Sequence, residues 1–220
     1  MYMKNKNILA VFPHGDDEAL GMGGTLHKLS ADNNITVIIC RGEEDERTKQ
    51  QFKDIDRAKE ILGYQHLIKL NYTEKHLSCN KLQLFKKLEQ LTLTINPDVL
   101  FIPFWGDVHQ DHATVYEAMI RSSRTWGFSN VKQIYCCEII SSTDQGFPQS
   151  YMKFNPNMYM KLTKHEIDKK VDALLCYSGE VVKYPHPRSA EGVYNKAKQR
   201  GSESKMQYAE AFMCIRHFHE

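Results

Sequence analysis

The sequence lacks the features of several large protein classes. Lys and Arg number 29 against 27 Asp and Glu, a formal charge of +2, so the basic excess of nucleic-acid-binding proteins is missing. No run of 18 apolar residues occurs, and we expect no membrane span. The basic start leads straight into an apolar run and then into acidic residues, without a small-residue cleavage site. We therefore expect no signal peptide and a cytoplasmic protein.

Cysteine pairs of the C-x-x-C type are also missing, although the chain has six cysteines. Several of them lie inside apolar runs, where a free cysteine acts as a small hydrophobic side chain. We predict reduced thiols of the core and neither zinc ligands nor disulfides. The six are Cys40, Cys79, Cys136, Cys137, Cys176 and Cys214.

Repeats, low-complexity tracts and flexible linkers are absent, and we expect 1–220 to form a single domain. Apolar runs predict strands, and segments with helical spacing lie between them. This alternation predicts an α/β fold with a Rossmann-like, doubly wound, mostly parallel sheet. From about residue 141 the regular alternation of strands and helices ends, and a loop-rich C-terminal elaboration follows. The strands are predicted over 7–12, 35–40, 66–70, 98–104 and 131–140, and helices over 20–32, 43–63, 81–95, 111–124 and 164–177.

Two polar clusters follow predicted strands. "HGDDE" (14–18) comes after the first strand, and "GDVHQDH" (106–112) comes after the strand at 98–104. Aspartate and glutamate also cap helices, which is the simpler explanation for either cluster alone. The carboxyl ends of parallel strands meet at one edge of the sheet, so both clusters together predict a shared site.

The glycines of "GMGG" (21–24) do not complete a dinucleotide-binding fingerprint. Three carboxylates precede them and would repel a bound pyrophosphate. We expect these glycines to allow close packing of the helix on the sheet. The carboxylates point instead to a divalent cation, which neutralises adjacent like charges. Catalytic zinc commonly takes three ligands from His, Asp or Glu and leaves a fourth position for water.

The motifs resemble those of a known family. "PHGDDEALGMGGTL" is similar to the P-H-P-D-D-E signature of the zinc-dependent N-deacetylases of the LmbE-like (PIG-L) family, and "HQDH" to its H-x-D-H signature. "AEAF" (209–212) resembles its closing motif, and "HPRS" (186–189) recurs in some members. The chain departs from the pattern at Gly15, where proline is usual, and at Gln51 and Asp54, where many members carry R-x-x-E.

The resemblance implies a role for each matching residue. His14, Asp17 and His112 would bind one zinc ion, and Asp16 would be the general base that takes a proton from the activated water. A protonated His109 would stabilise the oxyanion of the attacked carbonyl together with the metal. We expect Asp111 to orient His109 or a ligand. For Glu18 we leave two alternatives open, orientation of His14 or exposure to solvent.

Cationic residues near the strand ends suggest an anionic group on the substrate. The candidate substrate-binding residues are Arg41, Arg47, His186, Arg188 and Arg200. The predicted function is removal of an N-acetyl group from a small soluble N-acetylglucosamine-type glycoside or nucleotide sugar. The alternatives are a metal-dependent phosphoesterase and a non-catalytic sugar-nucleotide-binding module. Homo-oligomer formation is left open, and no nucleic-acid or membrane partner is expected.

Overall fold

The computed structural model describes residues 3–42, 45–73, 76–124, 126, 130–147 and 149–218, without the side chains of Arg47 and Ser150. Seven strands and six helices alternate over most of this part of the chain. The strands are β1 (Asn7–Phe12), β2 (Asn34–Arg41), β3 (His66–Tyr72), β4 (Val99–Pro103), β5 (Gln133–Cys137), β6 (Met158–Leu162) and β7 (Tyr208–His217). The helices are α1 (Asp17–Ser30), α2 (Glu46–Leu62), α3 (Lys81–Ile95), α4 (Gln110–Ser122), α5 (Lys164–Leu175) and α6 (Ala190–Glu203).

The strands form one sheet in the order β3-β2-β1-β4-β5-β7-β6. Strands β1 to β5 pair in parallel, whereas β7 pairs antiparallel with both β5 and β6. The predicted fold class, a Rossmann-like and mostly parallel sheet, is confirmed.

Helices cover both faces of the sheet, and the side chains of β1 show how the core is divided. Successive side chains of a strand point to opposite faces. Ile8, Ala10 and Phe12 therefore pack into one apolar cluster together with side chains of α1, α2, α5 and α6. Leu9 and Val11 pack into the other cluster, with side chains of α3 and α4. Burial on both faces explains why the strands are continuous apolar runs.

The chain reverses its direction across the sheet between β1 and β4. From β1 it proceeds outward to β2 and β3, then returns to β4 on the other side of β1 and continues to β5. Ligands of such sheets bind in the crevice at the carboxyl ends of the two strands that flank this reversal. The two polar clusters of the sequence follow β1 and β4, so both lie at this crevice.

Two elements of the C-terminal part were not predicted. β6 lies in a segment that the sequence presents as loop, and α6 follows the "HPRS" motif directly. Helix α6 buries only Val193, Ala197 and Gly201, so its apolar stripe is too narrow to stand out from its polar residues. Its start is marked by Ser189, whose hydroxyl accepts a hydrogen bond from the Gly192 N–H.

The cysteines agree with the prediction of core thiols at four of the six positions. Cys40, Cys136, Cys137 and Cys176 are buried, whereas Cys79 is exposed and Cys214 is half-buried. Among the helices of the described ranges, none combines the length and the apolar character needed to cross a membrane.

Candidate active site

A cleft of about 350 Å³ opens at the carboxyl ends of β1, β2 and β4. This volume is at the small end of the range of small-molecule sites, about 300–1,000 Å³. Most of the residues that the sequence predicts for the site line this cleft. They are His14, Asp16, Asp17, Arg41, His109, Asp111, His112 and Arg188.

One carboxylate oxygen links the two polar clusters. Asp17 Oδ2 lies 3.1 Å from His14 Nδ1 and 3.3 Å from His112 Nε2. Two ligand atoms of a tetrahedral zinc ion, each about 2.0–2.1 Å from the metal, are about 3.3–3.4 Å apart. The distances from Asp17 Oδ2 to the two nitrogens therefore fit one zinc-sized ion, and the donor set of two imidazoles and one carboxylate suits zinc chemically.

A third histidine lies beside this group. The His109 ring centroid is 4.5 Å from that of His14 and 5.1 Å from that of His112. Ligand atoms of these three histidines all lie within 4.8 Å of one another, so they form a second candidate set for a metal. The two sets share His14 and His112 and differ in whether Asp17 or His109 is the third member.

Each of the shared histidines uses its other ring nitrogen for a carboxylate. His14 Nε2 is 3.3 Å from Asp111 Oδ2, and His112 Nδ1 is 2.9 Å from Asp107 Oδ2. Hydrogen bonds to carboxylates fix the orientation and tautomer of metal-binding histidines. His14 makes such a bond with Asp111, and His112 Nδ1 lies at ion-pair distance from Asp107. Both rings therefore present the opposite nitrogen, His14 Nδ1 and His112 Nε2, towards Asp17.

The surrounding carboxylates make this pocket attractive for positive charge. Burial lowers the pKa of His14, but hydrogen bonds to Asp111 and Asp17 outweigh it and raise the pKa to about 9. For His112 burial again lowers the pKa, while Asp17 and Asp107 raise it to about 10. The negative charge of these carboxylates would attract a divalent cation in the same way.

Sequence reasoning did not assign a role to Asp107, which holds the second cluster in place. Its Oδ1 accepts a hydrogen bond of 2.7 Å from the His109 N–H and one from the Ser142 hydroxyl. Its Oδ2 accepts one of 2.8 Å from the Thr143 hydroxyl, in addition to the contact with His112. The sequence pattern that could have indicated this role is the position of Asp107, soon after a buried strand and five residues before the candidate ligand His112.

The surroundings of His109 favour the neutral imidazole over the protonated form that the resemblance implies. Its Nδ1 accepts a hydrogen bond of 3.2 Å from the Asp111 N–H, so this nitrogen carries no proton. Burial and the charges of His14 and His112 lower the pKa of His109 to about 4. In the neutral form of the ring, this hydrogen bond leaves the proton on Nε2. Asp111 contacts both residues, the His14 side chain through its carboxylate and His109 through its backbone.

Asp16 has a left-handed backbone conformation, with φ at 129°, which is uncommon for a residue other than glycine. Its N–H donates a 3.0 Å hydrogen bond to Glu18 Oε2, and its Oδ2 accepts one of 2.9 Å from Arg188 Nη1. Burial and the adjacent Asp17 hold the pKa of Asp16 well above its usual range. Asp16 is thus held by contacts of both its backbone and its side chain.

Neither alternative left open for Glu18 is correct. Glu18 is fully buried and does not face solvent. Its carboxylate accepts hydrogen bonds from the Asp16 N–H and from the Tyr177 hydroxyl and makes no contact with His14 among the described interactions. Burial raises the pKa of Glu18 to about 6. Glu18 thus contacts the backbone of Asp16 and links it to Tyr177.

The predicted substrate-binding residues divide into two groups. Arg41 and Arg188 line the cleft, but both contact carboxylates of the protein. Arg41 Nη1 is 3.7 Å from Asp111 Oδ2. Arg188 Nη1 lies 2.9 Å from both Asp16 Oδ2 and Glu180 Oε2, and its Nε donates a 2.6 Å hydrogen bond to Ser141.

Two further candidates, His186 and Arg200, are not brought to the cleft. His186 is not part of its lining, and its Nδ1 accepts a 3.1 Å hydrogen bond from the Arg188 N–H. Arg200 on α6 is bound to Glu138 and Glu203, so a partner within the protein takes the place expected for a substrate anion. The side chain of Arg47 lies outside the described residues.

Gly15 occupies a position where no larger residue fits. A Cβ atom added there would lie 2.5 Å from both Cδ1 and Cγ1 of Ile55, which projects from α2. The close approach of α2 to the loop after β1 therefore explains the glycine. It also explains why proline, which has a Cβ, is absent.

Replacement of Gly15 with alanine should destabilise the chain by about 1–3 kcal/mol, since overpacking forces neighbouring atoms to move. Truncation of the opposing side chain should relieve this effect, so the double variant G15A/I55A should be more stable than the sum of the two single changes predicts. Urea denaturation of the four proteins measures this coupling. Gly179→Ala is the matched control, because a Cβ at that position meets nothing within 4 Å. Additive effects at Gly15 and Ile55 would disprove the packing explanation.

Comparison with known proteins identifies the family. Residues 9–123, just over half of the chain, match the family described as PIG-L, GlcNAc-PI de-N-acetylase. The chain belongs to the PIG-L family. It is accordingly a hydrolytic N-deacetylase. It is 27% identical to the uncharacterized deacetylase YaiS of Escherichia coli (strain K12) over 181 residues, which are 78% of this chain and 90% of YaiS.

Solved structures show the same fold in proteins of different chemistry. The N,N'-diacetylchitobiose deacetylase of Pyrococcus horikoshii superposes on this PIG-L chain with a TM-score of 0.75 at 21% identity, covering 95% of this chain and 83% of that one. The 4-carboxy-2-hydroxymuconate hydratase GalB of Pseudomonas putida KT2440 gives a TM-score of 0.76 at 17% identity, covering 99% and 98%. Because a deacetylase and a hydratase share this fold, the fold alone does not fix the metal or the substrate, which have to be argued from the residues.

Proposed function

We propose that this PIG-L chain removes the N-acetyl group from an N-acetylglucosamine-type amino-sugar conjugate with the help of one zinc ion. The observation that carries the proposal is the position of Asp17 Oδ2 between His14 Nδ1 and His112 Nε2, with Asp16 directly beside it. The family description and the Pyrococcus deacetylase, whose names refer to GlcNAc and to diacetylchitobiose, support the substrate class.

His14, Asp17 and His112 are the proposed metal ligands. We prefer Asp17 to His109 as the third ligand because its Oδ2 lies within 3.3 Å of a ring nitrogen of both imidazoles and because it brings negative charge. When bound, zinc supplies Lewis-acid polarisation of the amide carbonyl and lowers the pKa of a water molecule. Asp111 and Asp107 keep the two imidazoles in the orientation that this requires.

Asp16 is the proposed general base. Arg188 holds its Oδ2, and within the described part of the chain no donor is bonded to its Oδ1. This oxygen accepts a proton from the water that attacks the amide carbonyl. Burial and Asp17 raise the pKa of Asp16, which makes its carboxylate a stronger base, and the proton that it accepts then passes to the leaving nitrogen. The products are acetate and a free amine.

His109 is the proposed donor to the developing oxyanion. Its neutral ring carries the proton on Nε2, because Nδ1 accepts from the Asp111 backbone. A neutral N–H donor stabilises the negative charge that builds up on the carbonyl oxygen in the transition state. It needs no proton transfer to do so.

The charge of the substrate is a separate question. Two of the arginines that suggested an anionic group, Arg188 and Arg200, are bound to carboxylates of the protein. The proposal therefore includes neutral glycosides and does not require a phosphate or carboxylate on the substrate.

The test is an acetate-release assay with N,N'-diacetylchitobiose and simple N-acetylglucosamine glycosides. Protein treated with a chelator should be inactive. After reconstitution with one equivalent of zinc per chain it should release acetate and free amine in equal amounts. Release of phosphate from phosphoesters by protein that requires two metal ions would favour the phosphoesterase instead. No acetate from any N-acetyl sugar, with one zinc bound, would refute the proposed function and leave the non-catalytic alternative.

A further inference from the structure

Helix α1 is not continuous. Met22 has φ −153° and ψ 25°, which interrupts the helix five residues after Asp17. At an interruption, backbone C=O groups on one side and N–H groups on the other lose their hydrogen-bond partners within the helix, as happens at the ends of a helix. These groups are fully buried, so they must be satisfied by other parts of the protein.

A buried ion pair satisfies the groups on both sides of the interruption. Lys170 Nζ on α5 donates a 2.8 Å hydrogen bond to the Leu20 carbonyl, which ends the first part of the helix. Glu210 on β7 accepts hydrogen bonds from the N–H groups of Gly24, at 3.1 Å, and Thr25, at 2.7 Å, where the second part begins. Lys170 Nζ and Glu210 Oε1 are 2.6 Å apart.

The charges are placed where the two helix parts attract them. A cation stabilises the carboxyl end of a helix and an anion its amino end. Lys170 and Glu210 therefore act as caps at the two ends that meet at Met22. The glycines make room for this arrangement, since a Cβ at Gly23 would lie 3.0 Å from Lys170 Cγ and one at Gly24 would lie 2.6 Å from Leu162 Cδ1. Gly24 therefore packs closely on the sheet as expected, whereas Gly23 packs on α5.

The interruption separates the active-site turn from the rest of α1. The first part, little more than one turn long, begins at Asp17 and follows directly on Asp16. Its direction relative to the sheet depends on the angle at Met22. If α1 continued without the interruption, its first part would leave the second part at a different angle. Asp17 would then lie at a different position relative to the sheet.

We propose that Lys170 and Glu210 are positioning residues that hold the interruption of α1 and thereby place Asp17 against His14 and His112. This rests on the proposed metal-binding role of Asp17. Neither residue touches substrate or metal, and their influence reaches the site through the backbone of α1. A buried ion pair often adds little to stability, and the support for a positioning role is that this pair bonds the backbone on both sides of Met22.

The experiment compares Lys170→Met, Glu210→Gln and the double variant K170M/E210L. Zinc affinity is measured by competition with a chromogenic chelator, and stability of the metal-free protein by urea denaturation. Lys164→Met is the matched control, because Lys164 lies on the same helix in an exposed pair with Asp168. We expect each single variant to bind zinc about 10–100-fold more weakly, as when partners of ligands are removed. The control should bind as the parent does.

The double variant separates positioning from stability. Removal of both charges leaves no unpaired ion, so the double variant should lose less stability than the sum of the two single changes, while the unpaired backbone groups at Met22 keep it below the parent. Because the caps at Met22 are still missing, zinc affinity should stay low. Zinc affinity that recovers together with stability, or that never changes in the folded variants, would overturn the proposal. Tight zinc binding by the parent without acetate release would instead refute the proposed function alone.

Discussion

Replacement of Asp16 with asparagine is expected to lower kcat by about 10²–10⁴-fold while the zinc content stays at one per chain. Asparagine has nearly the shape of aspartate but cannot accept the proton of the attacking water. Asp16 is not one of the proposed ligands, so the metal should remain. Its hydrogen bond from Arg188 can also be kept through the amide oxygen.

The measurement is steady-state kinetics on the best substrate of the acetate-release assay, together with the metal content of the same samples. Asp54→Asn is the matched control, since Asp54 is equally buried but lies outside the cleft, where it contacts Gln50 and Arg57. The control should retain the activity of the parent. A kcat of Asp16→Asn within a few-fold of the parent would show that another group takes the proton.

Substitution of Asp17 should weaken zinc binding, whereas substitution of His109 should lower kcat without changing zinc affinity. Asp17→Asn removes the charged proposed ligand and should weaken zinc binding by more than about 100-fold. Loss of a residue that only hydrogen-bonds to a ligand typically weakens metal binding by about 10–100-fold. His109→Ala should leave zinc affinity unchanged and lower kcat by about 10²–10³-fold, the usual effect of removing one oxyanion donor.

This pair of variants discriminates between the two candidate sets of ligands. Zinc binding is measured by competition with a chelator and activity by acetate release, on the same preparations. If His109→Ala loses the metal and Asp17→Asn keeps it, the three-histidine set is correct. Loss of the metal in both variants would mean that all four residues contribute.

Much of the site could be predicted because it follows from local patterns. β1 and α3 have the predicted bounds, 7–12 and 81–95, since a continuous apolar run and a 3.6-residue period are properties of neighbouring residues. The meeting of the two polar clusters followed from one topological rule, that the carboxyl ends of parallel strands share an edge. Membership in the PIG-L family followed from the same two motifs.

The partners of these residues could not be predicted, because they depend on packing over long distances along the chain. Arg188 is 172 residues from Asp16, and Lys170 is 150 residues from Leu20. No local pattern indicates that Arg188 binds a carboxylate of the protein and not one of a substrate. The glycine at position 15 likewise became explicable only once Ile55 was found opposite it.

The position of the metal itself tests the account most directly. We expect anomalous diffraction at the zinc edge from crystals of the zinc-loaded protein to show one ion per chain. That ion should lie about 2.0–2.2 Å from His14 Nδ1, from a carboxylate oxygen of Asp17 and from His112 Nε2. An ion bound by His109 in place of Asp17, a second ion bridged by carboxylates, or no ion at this edge of the sheet would contradict the account.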